Sequence, residues 1–230
     1  MLRVDPKGPR DMVSEADVAV EQLIRGRLTA AFSSDSFLGE ESGRTDPSDS
    51  TGIWVVDPID GTQPFISGLP NWCVSIAYLR DKTPQFGLVL NPTADELFTG
   101  GIDRPALLNG QPVTLHTGRT LTEGLVFMGC SARATAEQIV PVLDRLIRSG
   151  GMYVRSGSGA LGLCDVACGR LLGYVEPHIY AWDCLAAVAI LRAAGATVSD
   201  YLTGDALHAG NHIIAGPPAI YPELVRVLGV

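Results

Sequence analysis

Asp57 and Asp60 are carboxylates three residues apart, with Pro58 between them and Gly61 and Thr62 directly after. The residues before them, Ile53-Trp54-Val55-Val56, are apolar and largely β-branched, and read as a buried strand. Pro58 fixes its own φ and pushes Asp57 into an extended conformation. Gly61 permits a tight turn and a close approach of backbone to ligand. The spacing predicts a rigid corner at a strand end, from which Asp57, Asp60 and the Ile59 carbonyl can face one point. Hard divalent cations take oxygen clusters of that kind. The same residue types dominate ordinary surface turns, so this stretch alone is equally a turn.

Acids stand at the boundaries of several elements: Asp17, Glu40, Asp57, Asp60 and Asp183. Apart from Cys184 next to Asp183, no His or Cys lies beside them in the sequence, and an oxygen-only set suits Mg²⁺, Mn²⁺ or Ca²⁺ rather than Zn²⁺. Gathered round one point, ionised carboxylates repel by ~4 kcal/mol per close pair at an effective dielectric of ~20. About two or three divalent ions would turn that repulsion into binding. The helix start after Gly61-Thr62 adds backbone N–H groups suited to a phosphate. Metal-assisted phosphoryl transfer to water follows as a reading. Plainer roles exist for each acid. Asp17 can simply satisfy the N–H groups of a helix start, and Glu40 with Glu41 can be a solvated loop edge.

The elements that must position these acids can be read in order. Residues 1–13 carry Pro6, Gly8 and Pro9 and suggest an extended loop or short hairpin. Ser14 is placed as an N-cap with Asp17 as the capping-box partner. Val20, Leu23, Ile24, Leu28 and Ala31 predict an amphipathic helix over 15–31. A strand at 36–38 leads into Gly39-Glu40-Glu41, and the polar, breaker-rich stretch 43–52 reads as a mobile surface loop. A short helical turn follows at 63–68. Strands are expected at 72–79, 84–90 and 96–99, with a hairpin at 81–83 and another at Asn109-Gly110 before 111–115. The first 116 residues therefore read as a helix plus a mostly antiparallel sheet. Beyond them strand and helix alternate: strands at 124–128, 152–154, 173–175, 197–199 and 212–215. Helices are expected at 134–149, with Ile139, Val142, Leu143, Leu146 and Ile147 on one face, and from the Gly157-Ser158-Gly159 turn to 169. Two more follow, from Asp183 as cap to 194 and over 221–228. That half is α/β.

Composition narrows the function classes. The chain has 230 residues, 46% of them hydrophobic, enough for a sizeable core. No apolar run approaches the ~20 residues that span a bilayer. No apolar leader follows Met1-Leu2-Arg3, and the odd number of scattered cysteines fits reduced thiols, so a cytoplasmic protein without a membrane partner is expected. A net charge of −8 argues against nucleic acid as partner, though bound cations would still admit an anionic substrate. Cys164 and Cys168 lie four apart on a predicted helix with His178 after them. Small thiols on a helix face more often pack in a core than hold zinc.

Gly39-Glu40-Glu41-Ser42, Trp54-Val55-Val56-Asp57-Pro58-Ile59-Asp60-Gly61-Thr62 and Ala181-Trp182-Asp183, preceded by Asp11-Met12-Val13-Ser14-Glu15-Ala16-Asp17, resemble the inositol monophosphatase family in kind and order over nearly the whole chain. The resemblance implies a layered αβαβα sandwich in one functional unit. Its α+β half (1–120) would carry most metal ligands, and its α/β half (121–230) Asp183 and the substrate contacts. It implies a homodimer and Li⁺-sensitive, Mg²⁺-dependent hydrolysis of a small polyol or sugar phosphate such as inositol 1-phosphate. Glu40, Asp57 and the Ile59 carbonyl would hold one Mg²⁺. Asp57, Asp60 and Asp183 would hold a second, with Glu40 reaching a third and Mn²⁺ as substitute. Asp17 and Thr62 would orient the attacking water, and the Gly61 and Thr62 amides would bind phosphate. Glu176 and the run Gly157, Ser158, Gly159 and Ala160 would meet substrate hydroxyls; a strand-end surface acid and a simple turn are the plainer alternatives.

Two departures bear on identity. The family's long first helix would precede this sequence, which starts after the point where that helix would end: either the sequence is N-terminally short or this branch lacks the helix. The loop Gln63-Pro64-Phe65-Ile66-Ser67-Gly68 is worded more like histidinol-phosphate phosphatases. Histidinol phosphate and 3′-phosphoadenosine 5′-phosphate are therefore alternative substrates. A non-catalytic regulatory binding protein is the alternative of another class.

Overall fold

The computed structural model describes residues 3–8, 11–45, 50 and 52–230. A hairpin of β1 (Val4–Gly8) and β2 (Asp11–Ser14) leads into α1 (Glu15–Ala31). Ser14 caps the helix as its spacing predicts: its hydroxyl accepts the Ala16 N–H at 3.2 Å, while Asp17 accepts the Ser14 N–H at 2.9 Å. The inner face of α1 differs from expectation. Its buried residues are Asp17 and Glu21; of the expected stripe Val20, Ile24 and Leu28 are half-buried, whereas Leu23 is 61% exposed. Around Asp17 and Glu21 the helix meets backbone N–H and hydroxyl donors rather than apolar surface.

β3 (Ser36–Gly39), β4 (Gly43–Thr45), β5 (Ile53–Asp60), β6 (Cys73–Arg80), β7 (Thr83–Asn91), β8 (Glu96–Gly101), β9 (Arg104–Leu108) and β10 (Gln111–Pro112) form one sheet. Its order is β10-β9-β8-β7-β6-β5-β3-β4, antiparallel except where β3 runs beside β5. The short α2 (Thr62–Ile66) follows β5. Both predicted hairpins close through pairs of residues at positive φ, Asp81-Lys82 and Asn109-Gly110, the backbone that two-residue hairpins need. β4 corrects the loop expected over 43–52: its first residues pair with Phe37 and Leu38 and cover the edge of β3. The rest of that stretch, 46–49 and 51, lies outside the described residues.

A second sheet has the order β12-β11-β13-β15-β14. It comprises β11 (Leu125–Met128), β12 (Met152–Val154), β13 (Gly173–Ile179), β14 (Thr197–Val198) and β15 (Asn211–Gly216). The helices are α3 (Ala136–Arg148), α4 (Gly159–Ala167), α5 (Ala181–Ala193), α6 (Ala206–Ala209) and α7 (Tyr221–Leu228). α6 is a single short turn that carries His208 between β14 and β15. Ile147 of α3, expected on the core face, is exposed.

α5 explains the layering. Every residue from Cys184 to Leu191 is buried, and a helix apolar all round must lie between layers. It packs on β5, β6, β7, β8 and β9 on one side and on α4 on another, while α4 reaches β13 and β15. One core, with Val55, Phe98, Leu163, Leu185 and Phe127, fills the space between the sheets. A second, with Val126, Val142, Val175 and Leu224, lies under α3 and α7. α1 packs on β3 and β5. The architecture is the expected αβαβα sandwich. Among the described residues no helix is long and apolar enough to cross a membrane.

Helix α5 and the first sheet are brought close by missing side chains. A Cβ at Gly87 on β7 would lie 1.9 Å from the Ala186 carbonyl oxygen of α5, and one at Gly100 on β8 would lie 3.0 Å from Ile190 Cα. Glycine there lets the helix backbone rest on the sheet backbone.

Candidate functional site

Residues three apart on a regular strand point to opposite faces. Asp57 and Asp60 escape that rule because β5 is irregular between them: Asp57 pairs with Ser75 of β6, but Asp60 pairs with Cys73. Two residues of β5, Pro58 and Ile59, thus oppose one of β6, which resets the alternation. Pro58 has no N–H for the ladder, and the Ile59 N–H turns back to Asp57 Oδ1 at 2.9 Å. The corner predicted at a strand end is therefore a bulge inside a strand that runs on to Asp60.

Asp60 projects to the start of α4. It accepts from Ser158 Oγ at 2.6 Å, from the Ala160 N–H at 2.7 Å and from the Gly159 N–H at 3.4 Å. These donors go to the carboxylate, a use that sequence did not foresee for Ser158, Gly159 and Ala160. Gly157 lines the open cleft. Asp183 comes from the first turn of α5. It is not the cap, which is Tyr180; it accepts the Tyr180 N–H at 3.4 Å from the third helical position. Ser75 Oγ donates to the neighbouring Trp182 carbonyl at 3.0 Å, tying this helix start to the strand opposite Asp57.

Asp57, Asp60 and Asp183 each offer a carboxylate oxygen within 4.8 Å of the others. Burial holds all three carboxyls above the ordinary carboxylate range. The Glu40 and Asp60 charges raise Asp57 and Asp183 further, which puts Glu40 in the same field. At Asp60 the Ser158, Gly159 and Ala160 donors work in the opposite direction. Buried like charges with no cationic side chain among these causes suit a divalent cation, and the donor set is all oxygen.

Asp17 is fully buried and works in two directions. Oδ2 closes the helix cap on Ser14, while Oδ1 accepts from Thr62 Oγ1 at 3.2 Å. Thr62 Oγ1 lies equally 3.2 Å from the Ile59 carbonyl. The helix-start role and the site role of Asp17 are thus both met, one by each oxygen. Thr62, Gly61, Glu40 and Asp183 line a cleft of about 880 Å³, with Arg133, Arg155, Tyr180 and Trp182 on its walls.

Glu176 is 4% exposed and lies in a recess of that region with Asp60, Asp183 and Gly159. Tyr174 donates its hydroxyl to Glu176 Oε2 at 2.5 Å. A Cβ at Gly129 would lie 2.2 Å from the same oxygen, so glycine opens the space that the carboxyl fills. Burial raises its pKa from 4.5 to about 8. The native carboxyl therefore holds its proton more tightly than the unfolded one. Its contribution to stability is complete below pH 4.5 and is lost as pH rises to about 8. Glu176→Gln is expected to flatten the fall of melting temperature over that window in metal-free protein. Parallel curves for variant and parent would refute the shift.

Two contributors were not visible in the sequence reading. Ser75 is one; nothing in a strand pattern marks a serine that holds a distant helix. Glu21 is the other. It is 2% exposed, and its carboxylate accepts the N–H groups of Glu41 and Ser42, each at 2.8 Å. Its position four residues after Asp17, on the same helix face, was an available signal. Of the other candidates, Cys164 and Cys168 do not gather with His178. Cys164 is buried in the core between the sheets, its thiol pushed up by burial. Among the described residues, only the three aspartates form a potential metal-holding group.

The Nus factor SuhB of Pasteurella multocida is 33% identical over 229 residues, covering 98% of this chain and 85% of that protein. Inositol monophosphatase 1 of Solanum lycopersicum is 40% identical over 207 residues, covering 84% of this chain and 74% of its own length. The crystal structure of the extragenic suppressor protein suhB from Bartonella henselae superposes with a TM-score of 0.91 at 34% identity, over 99% of this chain and 88% of that one. A sequence model of one family spans residues 2–228, and with these relatives it makes the chain a member of the inositol monophosphatase family.

Proposed function

We propose that the chain is a Mg²⁺-dependent phosphomonoesterase for a small polyol or sugar phosphate, with inositol 1-phosphate as the first substrate to test. The observation that carries this reading is the meeting of Asp57, Asp60 and Asp183 from two separate layers, beside the Asp17–Thr62 pair. Glu40, Asp57 and the Ile59 carbonyl would hold one ion; Asp57, Asp60 and Asp183 would hold another. Glu40 would also reach a third, and Mn²⁺ would substitute. When bound, such ions lower the pKa of water and neutralise charge on the phosphate and the leaving oxygen.

The chain's own groups do the rest. Thr62 Oγ1 gives its hydrogen to Asp17 Oδ1, so its lone pairs are free to take a proton from an attacking water. The Ser14 bond on Oδ2 keeps the Asp17 carboxylate from rotating away. The Gly61 and Thr62 amides would bind phosphate oxygens. Glu176 would exchange hydrogen bonds with a substrate hydroxyl. Gly157 would form part of the substrate wall.

Phosphate release across about twenty phosphomonoesters, with and without Mg²⁺, tests the reading. Inositol 1-phosphate is expected to lead by kcat/KM, with no release in chelator. Preference for histidinol phosphate or 3′-phosphoadenosine 5′-phosphate would move the substrate, not the chemistry. Because relatives include proteins named Nus factors, a regulatory binding role is the second reading. A silent panel from protein that still binds metal would favour it.

A further inference from the structure

Glu40 lies on a turn, and turns are where ligand geometry is easily lost. β3 ends at Gly39, and the Glu40 N–H still follows the parallel ladder to the Val56 carbonyl at 3.2 Å. The chain then reverses into β4, with Gly39 opposite Gly43. The next two N–H groups, of Glu41 and Ser42, leave the ladder. Both go to one carboxylate: Glu21 Oε2 takes Glu41 and Oε1 takes Ser42, at 2.8 Å each. Charge-assisted bonds to backbone N–H are the stronger kind, and here they form a two-point grip on the residues after Glu40.

The grip is built in from both sides. A Cβ at Gly39 would lie 2.3 Å from Glu21 Oε2 and 2.4 Å from its Cδ, so the strand ends in glycine where the carboxylate crosses it. Glu21 sits one helical turn beyond Asp17, whose Oδ1 accepts from Thr62. One face of α1 thereby fixes the water-orienting pair and the Glu40 turn in a single register. None of this would be needed for a solvated loop edge.

We propose that Glu21 is a positioning residue for the metal centre: by holding the 41–42 backbone it sets where the Glu40 carboxylate stands relative to Asp57 and Asp183. This rests on the proposed metal-dependent reading of the site. Partners that orient a ligand typically change metal affinity by about 10–100-fold when removed. Glu21→Gln keeps the size but has one carbonyl oxygen, and its NH₂ would face a second N–H donor.

Direct Mn²⁺ binding, followed by the electron paramagnetic resonance of free Mn²⁺, provides the test, with Mg²⁺ activation of phosphate release beside it. Glu21→Gln is expected to weaken Mn²⁺ binding about tenfold or more and raise the Mg²⁺ needed for half-activation in proportion. At saturating Mg²⁺ its kcat should stay within about threefold of the parent, and KM for substrate should not move. A merely structural role would lower melting temperature and the active fraction while leaving the Mn²⁺ affinity of the folded protein unchanged; that result overturns the proposal. If Glu21→Gln does not fold, Glu21→Asp, which keeps the charge but shortens the reach, should shift Mn²⁺ affinity the same way. Parent-like affinity there would also overturn it. A parent that binds no Mn²⁺ would instead refute the metal reading itself.

Discussion

Asp57→Asn is expected to lower phosphate release by about 10³-fold or more and to abolish Mn²⁺ binding. Asp57 is the carboxylate that feels most of the others: Glu40, Asp60 and Asp183 all raise it. It is 1% exposed, so neither water nor a new rotamer can replace what the substitution removes. Unbalancing a buried constellation of charge costs ~3–5 kcal/mol, which is about two to four decades in a rate or binding constant. The sign reverses without metal. There the like charges repel, relieved only by an Asp57–Asp183 hydrogen bond that an amide can also make, so metal-free Asp57→Asn should melt at or above the temperature of the metal-free parent. Mn²⁺ titration and calorimetry of metal-free protein check the two halves. Retained metal binding would remove Asp57 from the centre of the site.

Asp17→Asn should behave differently: metal binding stays near the parent's while kcat falls by about 10²–10⁴, the range that positioned acid–base groups supply. The Asn oxygen can continue to accept the Ser14 N–H and keep the cap. Its NH₂ then faces Thr62 Oγ1, which turns its hydrogen to the Ile59 carbonyl, also 3.2 Å away. Thr62 then spends a lone pair on the amide, and no carboxylate waits to take the proton. Single-turnover rates at saturating Mg²⁺, read beside Mn²⁺ affinity, separate the two variants. Equal metal loss in both would defeat the division of roles.

Much of this arrangement is legible in the sequence itself. The capping pair Ser14 and Asp17, the hairpins at Asp81-Lys82 and Asn109-Gly110 and the alternation of the second half all rest on local rules, and local rules held. What stayed hidden depends on contacts far apart in sequence. That Asp57 and Asp60 share a face follows from a bulge, which only the register with Ser75 and Cys73 reveals. That Ser158, Gly159 and Ala160 serve Asp60 requires the start of α4 to meet the end of β5. The α1 stripe is legible only in part: Val20, Ile24 and Leu28 are half-buried, but the deepest residues are Asp17 and Glu21, whose partners are N–H and O–H donors that hydrophobic periodicity does not register.

The contact of α5 with Gly87 carries one more consequence. Asp183 belongs to the helix and Asp57 to the sheet, so the gap between their carboxylates is set by two backbones in touch, with no compressible side chain between them. A methyl group on that hidden seam would spread the jaws of the centre without altering a single ligand. Inheritable damage to such a protein can therefore arise at a residue that carries no charge and never meets solvent or substrate.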